Sequence, residues 1–409
     1  MKNKPTMAFL GAALTVAAVA GCSSSGSSSA SAPTSASATT GASAATTGVL
    51  AGICPGTVEI QNNWTPEAEQ GAYYELAASG GTIDSSQKTY TAPLIDPATG
   101  KTAGVNVELL AGGPAAGYSN PEQLLYENQS ILLGVDATDS QIQSYAKTPT
   151  VGVVTPMYLY DNIYFWSPAK HNFSGISEIG ASGATLLSYG TGGALNLYLE
   201  AKGELHHSQI DGSYKGSPAD FVASGGSMIS GGYATYEPYY YSHDLAAWDK
   251  PISYQLIQAT GYNPYSNTTF VTPANLTRYS KCLSKLVPMI QQAQISYLQA
   301  PTRVNQLIVQ LGAAYKIGGA YTMDVANYAD QTMLADRIVS QPSAGAFGSF
   351  DMARVNTLIN QLKSTNSVTS LPAGFSASKL ETNQFIDPAI TMSFYTGPYN
   401  SPDGVITEK

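Results

Sequence analysis

Tyrosine-rich stretches and one Asn-Trp pair after the first expected strand are the parts of this chain best suited to holding a small molecule. Tyr158, Tyr160, Tyr164 and Trp166 crowd one stretch; Tyr236, Glu237, Tyr239 and Tyr240 crowd another. Tyrosine presents an apolar face and a polar tip together, so converging tyrosines suit an aromatic, heterocyclic or amphiphilic solute. Glu237 can pair with a cationic amine or cap a turn. Asn63 and Trp64 stand side by side: an indole can stack on a flat ring while the amide donates and accepts. In Tyr189-Gly190-Thr191-Gly192-Gly193 the small residues let the backbone approach a ligand. Exposed N–H groups and the Thr191 hydroxyl there can receive a carboxylate, phosphate or sulfonate. A plain turn explains that stretch equally well. Asp136 and Asp139 are further polar candidates, or turn caps.

Covalent chemistry finds less support. Gly180-Ala181-Ser182-Gly183-Ala184 superficially resembles a nucleophile turn, but it lacks glycine at the fifth position and no triad follows. Glu67 and Glu69 are close only in sequence. His206 and His207 are adjacent, so they point in different directions and lack spacing partners for a metal. No Walker A loop is present. No catalytic residue, metal or cofactor is expected.

The chain's beginning reads as a targeting device. Lys2 and Lys4 precede an apolar run over residues 7–20, too short to favour a membrane span. Val19-Ala20-Gly21-Cys22 follows and resembles the bacterial lipobox. We therefore expect a signal peptide over 1–21 and lipidation of Cys22, with acyl chains anchoring the protein through apolar transfer. Residues 22–48, nearly all Ser, Ala, Thr and Gly after the cysteine, make a flexible tether. With Cys22 lipidated, Cys54 and Cys282 remain as an even pair outside the cytoplasm, and a disulfide between them is expected. The formal net charge of −9, with no basic stripe, argues against nucleic acid as a partner.

Alternating patterns position these groups. Strands are expected at 58–61, 105–110, 131–135 and 151–155, with helices at 66–78, from Asn120-Pro121 onward, and at 139–145. That alternation implies an α/β fold with a mainly parallel sheet. Strand-like 184–188, helix-like 195–202 and a return strand at Gly231-Gly232, followed by a Glu237-Pro238-Tyr239 turn, form a second region. The run 252–257 is read as returning the chain to the first domain. Three apolar stripes then predict helices: Leu276, Tyr279, Leu283, Leu286, Ile290, Ala293 and Tyr297; Val304, Leu307, Ile308 and Leu311; Val355, Leu358, Ile359 and Leu362. The expected organisation is lobe 1 from 49–149 and 248–409, lobe 2 from 150–247, and two crossings that act as a hinge around a central cleft.

The lipobox, Asn62-Asn63-Trp64-Thr65-Pro66-Glu67-Ala68-Glu69-Gln70-Gly71, Val107-Glu108-Leu109 before Gly112-Gly113-Pro114, and Gly232-Tyr233-Ala234-Thr235-Tyr236-Glu237-Pro238 together carry a family resemblance. The body resembles the solute-binding proteins of bacterial ABC importers, particularly the nitrate, sulfonate, taurine and thiamine-precursor branch. That resemblance implies a two-lobed periplasmic-binding-protein-like fold that closes on a solute. It also implies a permease partner with a separate ATPase subunit, and a monomeric, lipid-anchored protein on the extracytoplasmic face of the cell membrane. Near position 69 the family's helix start often carries a basic residue or histidine, where this chain has Glu69. The site expected is thus Asn63, Trp64, Glu69, Asp136, Tyr158, Tyr160, Tyr189, Thr191, Gly192, Glu237 and Tyr239. A structural or adhesive surface lipoprotein, or an exported enzyme, are the competing readings.

Overall fold

The computed structural model describes residues 47–319, 321–401 and 403–408. The expected leader, Cys22 and nearly all of the tether lie outside the described residues. Among the described residues the strands begin with β1 (Thr57–Gln61), β2 (Thr82–Asp84), β3 (Thr89–Ile95), β4 (Thr102–Leu110), β5 (Ile131–Asp136), β6 (Val151–Val154) and β7 (Asn162–Trp166). They continue with β8 (Leu186–Leu187), β9 (Ile210–Asp211), β10 (Ile229–Tyr233), β11 (Ile252–Leu256), β12 (Thr268–Val271) and β13 (Ile406–Glu408).

Two sheets result. The larger has the order β2-β3-β4-β1-β5-β12-β6 and the smaller β13-β11-β7-β10-β8-β9. β1 runs parallel to β4 and β5, whereas β12 lies antiparallel between β5 and β6. In the smaller sheet β8 is parallel to β9 and β10, and β7 is antiparallel to β10 and β11. Both sheets are therefore mixed, not mainly parallel. β5 shows why its apolar run does not alternate: Ile131 through Val135 are all buried, as in a strand covered on both faces.

The helical stripes become the helices Ser280–Gln299, Thr302–Tyr315 and Met352–Ser364. Leu283, Leu286, Ile290, Ala293 and Tyr297 are buried along the first of these, as are Val304, Ile308 and Leu311 on the second. Cys282 starts the long helix and is bonded to Cys54, with Cα atoms 4.9 Å apart across 228 residues of chain. The folded body's first residues are thus stapled to its longest helix. The expected helix at 66–78 is shorter: a 3-10 turn at Ala68–Gln70 and a helix at Gly71–Glu75. Glu67, not Pro66, sits at the start, where its backbone N–H donates to the Gln70 side chain at 3.0 Å. Asn120 precedes the helix Pro121–Glu127 without capping it; its amide donates to Ser144 Oγ at 2.9 Å instead.

The crossings between sheets differ from the expectation. β11 pairs with β7 and β13, so the chain is still in the smaller sheet at Leu256. It reaches the larger sheet only at β12. The backbone crosses over residues 155–161, returns over 257–267, and crosses a third time when the C-terminal segment adds β13 to the smaller sheet. Hydrophobic patterning located β11 but could not assign its partner, because a buried strand reads alike in either sheet. The first two crossings are tied together: Ser266 Oγ donates to Asp161 at 2.5 Å. Arg354 reaches into both, donating to the carbonyls of Tyr158, Asn263 and Pro264 at 2.6, 2.8 and 2.6 Å. One buried apolar cluster takes in Ile60 and Leu133 of the larger sheet together with Phe165 and Leu256 of the smaller.

Candidate ligand-binding cleft

A cavity of about 600 Å³ opens between the two sheets, a size that suits a small organic molecule. Its first wall comes from the segments that leave β1, β4 and β5 of the larger sheet: Trp64 and Glu67, Pro114 and Tyr118, and Asp139. These are the carboxyl ends of adjacent parallel strands, where open α/β sheets form crevices. The second wall comes from the smaller sheet and the segments following it. It includes Tyr160, Tyr164, Tyr189, Tyr214, Tyr233, Tyr236, Glu237 and Tyr240.

Local backbone explains how two of these side chains are seated. Gly113 adopts φ +55°, and a Cβ there would meet the Trp64 ring at 2.7 Å. Glycine therefore permits both the left-handed turn and the close approach of the indole. Tyr118 lies 6.2 Å from that ring, between centroids. At Gly232 a Cβ would lie 2.6 Å from the Glu237 carboxyl carbon, so the missing side chain is what lets Glu237 fold back over the strand. The Tyr233 N–H then donates to Glu237 Oε2 at 2.6 Å. The residues 237–239 are accordingly a short helix, Glu237–Tyr239, and not the expected turn. Elsewhere in the wall Tyr164 donates to Asn196 Oδ1 at 2.8 Å, and the Asn196 amide donates to Ser188 Oγ at 3.0 Å.

The electrostatics are one-sided. Burial, then the nearby Glu69, pushes Glu67 well above the usual carboxylate range. Burial raises Glu237 to about 7, although the Tyr233 N–H opposes it. Burial and then Glu69 raise Asp161, which stands just behind the cavity, to about 7. Glu69 is also raised, mainly by burial; its Oε1 accepts from the Thr235 hydroxyl and its Oε2 has no hydrogen-bond partner. Asp139 lines the cavity with its Oδ2 accepting from Tyr262 at 2.6 Å, and burial raises it too. Among the described residues lining the cavity, Lys215 is the only cation, and it is exposed.

Trp64, Tyr160, Tyr189 and Glu237, of the expected site, come together here. The others stand elsewhere. Asn63 is not a lining residue, and accepts from Gln70 at 3.4 Å. Asp136 lies behind the wall, accepting the Ala137 N–H at 2.7 Å; burial holds it at about 7. Glu69 is buried beneath the lining residues. Tyr158 faces a different cavity of about 440 Å³, which Arg337, Tyr395 and Tyr399 also line. Thr191 and Gly192 are exposed and are not lining residues; of that glycine-rich turn, Tyr189 and Gly193 reach the cavity. Tyr239 packs on His243 and Tyr328, with centroids 4.6 and 5.3 Å away. Glu67, Tyr118, Tyr214 and Tyr233 are lining residues that patterning did not single out. Glu67 was hidden inside an expected helix, and Glu237, which joins it at the cavity, arrives from across the fold. Tyr118 and Tyr214 lie in loops with no periodic signal.

None of the chain's four histidines lines this cavity. Ser182 is likewise remote, its hydroxyl donating to the Ile179 carbonyl at 2.7 Å. Among the described residues no group of three His, Cys, Asp or Glu side chains is arranged to hold a metal ion. No helix there is long and apolar enough to cross a membrane.

No protein-family model matches the sequence, and no curated protein matches it. Solved structures do match. The ligand-binding component of an ABC-type import system from Staphylococcus aureus, solved with zinc bound, gives a TM-score of 0.51 at 9% identity, over 82% of this chain and 99% of its own. The periplasmic aliphatic sulphonate binding protein of Escherichia coli gives a TM-score of 0.50 at 12% identity, over 85% of this chain and 97% of its own. A desulfurization enzyme matches at a TM-score of 0.44 and 13% identity, over 80% of this chain and 97% of its own. At such identities the likeness speaks for architecture alone: this chain has the two-domain α/β fold of periplasmic binding proteins, with mixed sheets.

Proposed function

We propose that the chain is the extracytoplasmic solute-binding component of an ABC importer, and that it captures a small aromatic or heterocyclic solute by closing two lobes. The observation that carries this reading is the cavity itself. It lies between two sheets, is walled by residues of both, and is lined with tyrosines and an indole. A solute touching both walls stabilises the closed arrangement by its differential affinity for that state. Residues 155–161 and 257–267 are the hinge segments in this reading, because few torsions there need change to move one sheet against the other.

Lipidation of Cys22 and the tether after it would hold the body at the membrane while leaving it free to meet a permease. ATP hydrolysis belongs to a separate subunit. The narrower placement in the nitrate, sulfonate, taurine and thiamine-precursor branch rests on the sequence features quoted above. A binding role without turnover is favoured because no histidine lines the cavity beside the Ser188 and Ser217 hydroxyls, so no nucleophile–histidine pair stands among the lining residues.

The test is direct. The full chain is purified, denatured to release any carried-over solute, and the released material is identified by mass spectrometry. Adding that solute back should compact the protein in solution scattering. A stoichiometric solute without compaction defeats lobe closure, and conversion of the solute into product makes the protein an enzyme.

A further inference from the structure

The cavity's charge is informative beyond its shape. Glu67 and Glu237 line it from opposite sheets, and Asp139 adds a third carboxyl. Glu69 and Asp161 stand close enough behind to raise the pKa of the lining pair. Five acidic groups therefore surround a space whose only cation among the described lining residues is one exposed lysine. Glu69 is only 5% exposed, and one of its oxygens has no partner. Desolvated carboxyls without counter-charges are costly, and natural folds keep them where a positive group arrives. The walls add a matching feature. Tyr236 and Tyr240 stack with centroids 5.3 Å apart, Tyr189 and Tyr214 meet edge-on at 5.1 Å, and Trp64 lies opposite on the other wall. Electron-rich ring faces attract ammonium groups, above all when they are desolvated.

Resting on the solute-binding reading, we propose that the cavity selects an organic cation, an amine or a quaternary ammonium. Glu67 and Glu237 supply the counter-charge from the two walls, and the tyrosines and Trp64 enclose the apolar part. An anionic solute meets the opposite situation. The carboxyls repel it, and among the described lining residues no arginine answers it. The groups facing Glu237 are Glu67, Glu69 and Asp161 together with the Tyr233 N–H; those facing Glu67 also include the Thr65 hydroxyl at 2.7 Å. Protons compete with a bound cation for these carboxyls, so affinity rises with pH, through about 7 where Glu237 titrates.

The experiment uses the full chain in mild detergent and calorimetric titration with matched probes. Choline, putrescine and phenethylamine are the cations, 3,3-dimethylbutan-1-ol is the neutral isostere of choline, and ethanesulfonate is the anion. At least one cation should bind more than about tenfold tighter at pH 8 than at pH 5, and tighter than the neutral and anionic probes by a similar factor. Glu237→Gln, which keeps an acceptor for the Tyr233 N–H, and Glu67→Gln should each weaken that binding about tenfold and flatten its pH profile. Thermal melting confirms that each variant folds. If the neutral or anionic probe binds as well as the cations, or if no cation binds, the cation assignment is overturned. Should a neutral or anionic solute nevertheless compact the protein in scattering, the importer reading survives that failure. If no solute of any charge co-purifies or compacts the chain, both readings fall.

Discussion

The two sheets reach the same cavity with different means of support. The larger has strands of seven and nine residues in β3 and β4, and a disulfide fastens the segment beside it to the longest helix. The smaller includes β8 and β9, each of two residues. Its order comes from packed rings instead. Phe221 lies 5.2 Å from Phe165, 5.2 Å from Tyr241 and 4.9 Å from Trp248. One half is held by ladders and a covalent cross-link, the other by an aromatic core beneath short strands. The cavity is thus walled by two halves that are braced differently. Side-chain packing can replace backbone pairing where loops carry the lining groups.

The largest expected effect tests the covalent side of that contrast. Replacing both Cys54 and Cys282 by serine releases a loop whose ends are 228 residues apart. The chain-entropy argument makes this worth about 5 kcal/mol at most. Urea unfolding should show it; a loss under about 1 kcal/mol would mean the larger half does not depend on its staple. Phe221→Ala attacks the aromatic side. The ring is fully buried, so about 3–5 kcal/mol should be lost in the same assay. A near-neutral result would refute the role given to ring packing in the smaller half.

The joint between the halves gives two further tests. Asp161 sits in the first crossing, is 2% exposed, and is held at about 7 by burial and then by Glu69. Its folded pKa is raised, so between about pH 4 and 7 the folded chain keeps a proton that the unfolded chain has released. Stability from this group is therefore complete below the ordinary aspartate range. It falls as pH rises to about 7 and is level above that. Asp161→Asn should remove up to about 4 kcal/mol of that decline, read from unfolding curves across pH. An unchanged pH slope would show that the joint is not electrostatically loaded. Arg354→Lys keeps a charge but loses the planar fork that reaches three carbonyls of the two crossings. A loss of about 2 kcal/mol is expected, together with greater hydrogen exchange over residues 257–267. Unaltered exchange there would separate Arg354 from the joint.

Much of the fold was legible where a local pattern carries its own physics. The helical stripes predicted Thr302–Tyr315, Met352–Ser364 and most of Ser280–Gln299 because a 3.6-residue period survives any packing partner, although Leu276 of the first stripe falls on a separate short helix, Pro273–Arg278, and Tyr279 between the two. β1, β4 and β5 were found for a similar reason: β-branched and apolar runs between turn residues have few other uses. The hairpin β2–β3 was not found, since Pro93 interrupts the run and the pairing shifts register just beyond it. In the site, Trp64, Tyr160, Tyr189 and Glu237 were legible from residue type and position near strand ends. Tyr158 and Tyr239 carry the same chemistry in neighbouring positions but face elsewhere, a matter of side-chain direction that composition does not encode.

The amino-acid sequence alone carried the apolar faces of the long helices and the wealth of tyrosine in two stretches, because each follows from residue type and short-range spacing; the pairing of Cys54 with Cys282 was an expectation from cysteine count that the fold bore out. That β11 stays with the smaller sheet, that the chain crosses between sheets three times, and that Glu67, Glu237, Glu69 and Asp161 gather at one cavity came from the folded arrangement. Those facts depend on contacts between residues up to hundreds of positions apart. Through-space charge and sheet membership are properties of such contacts, and no local period records them.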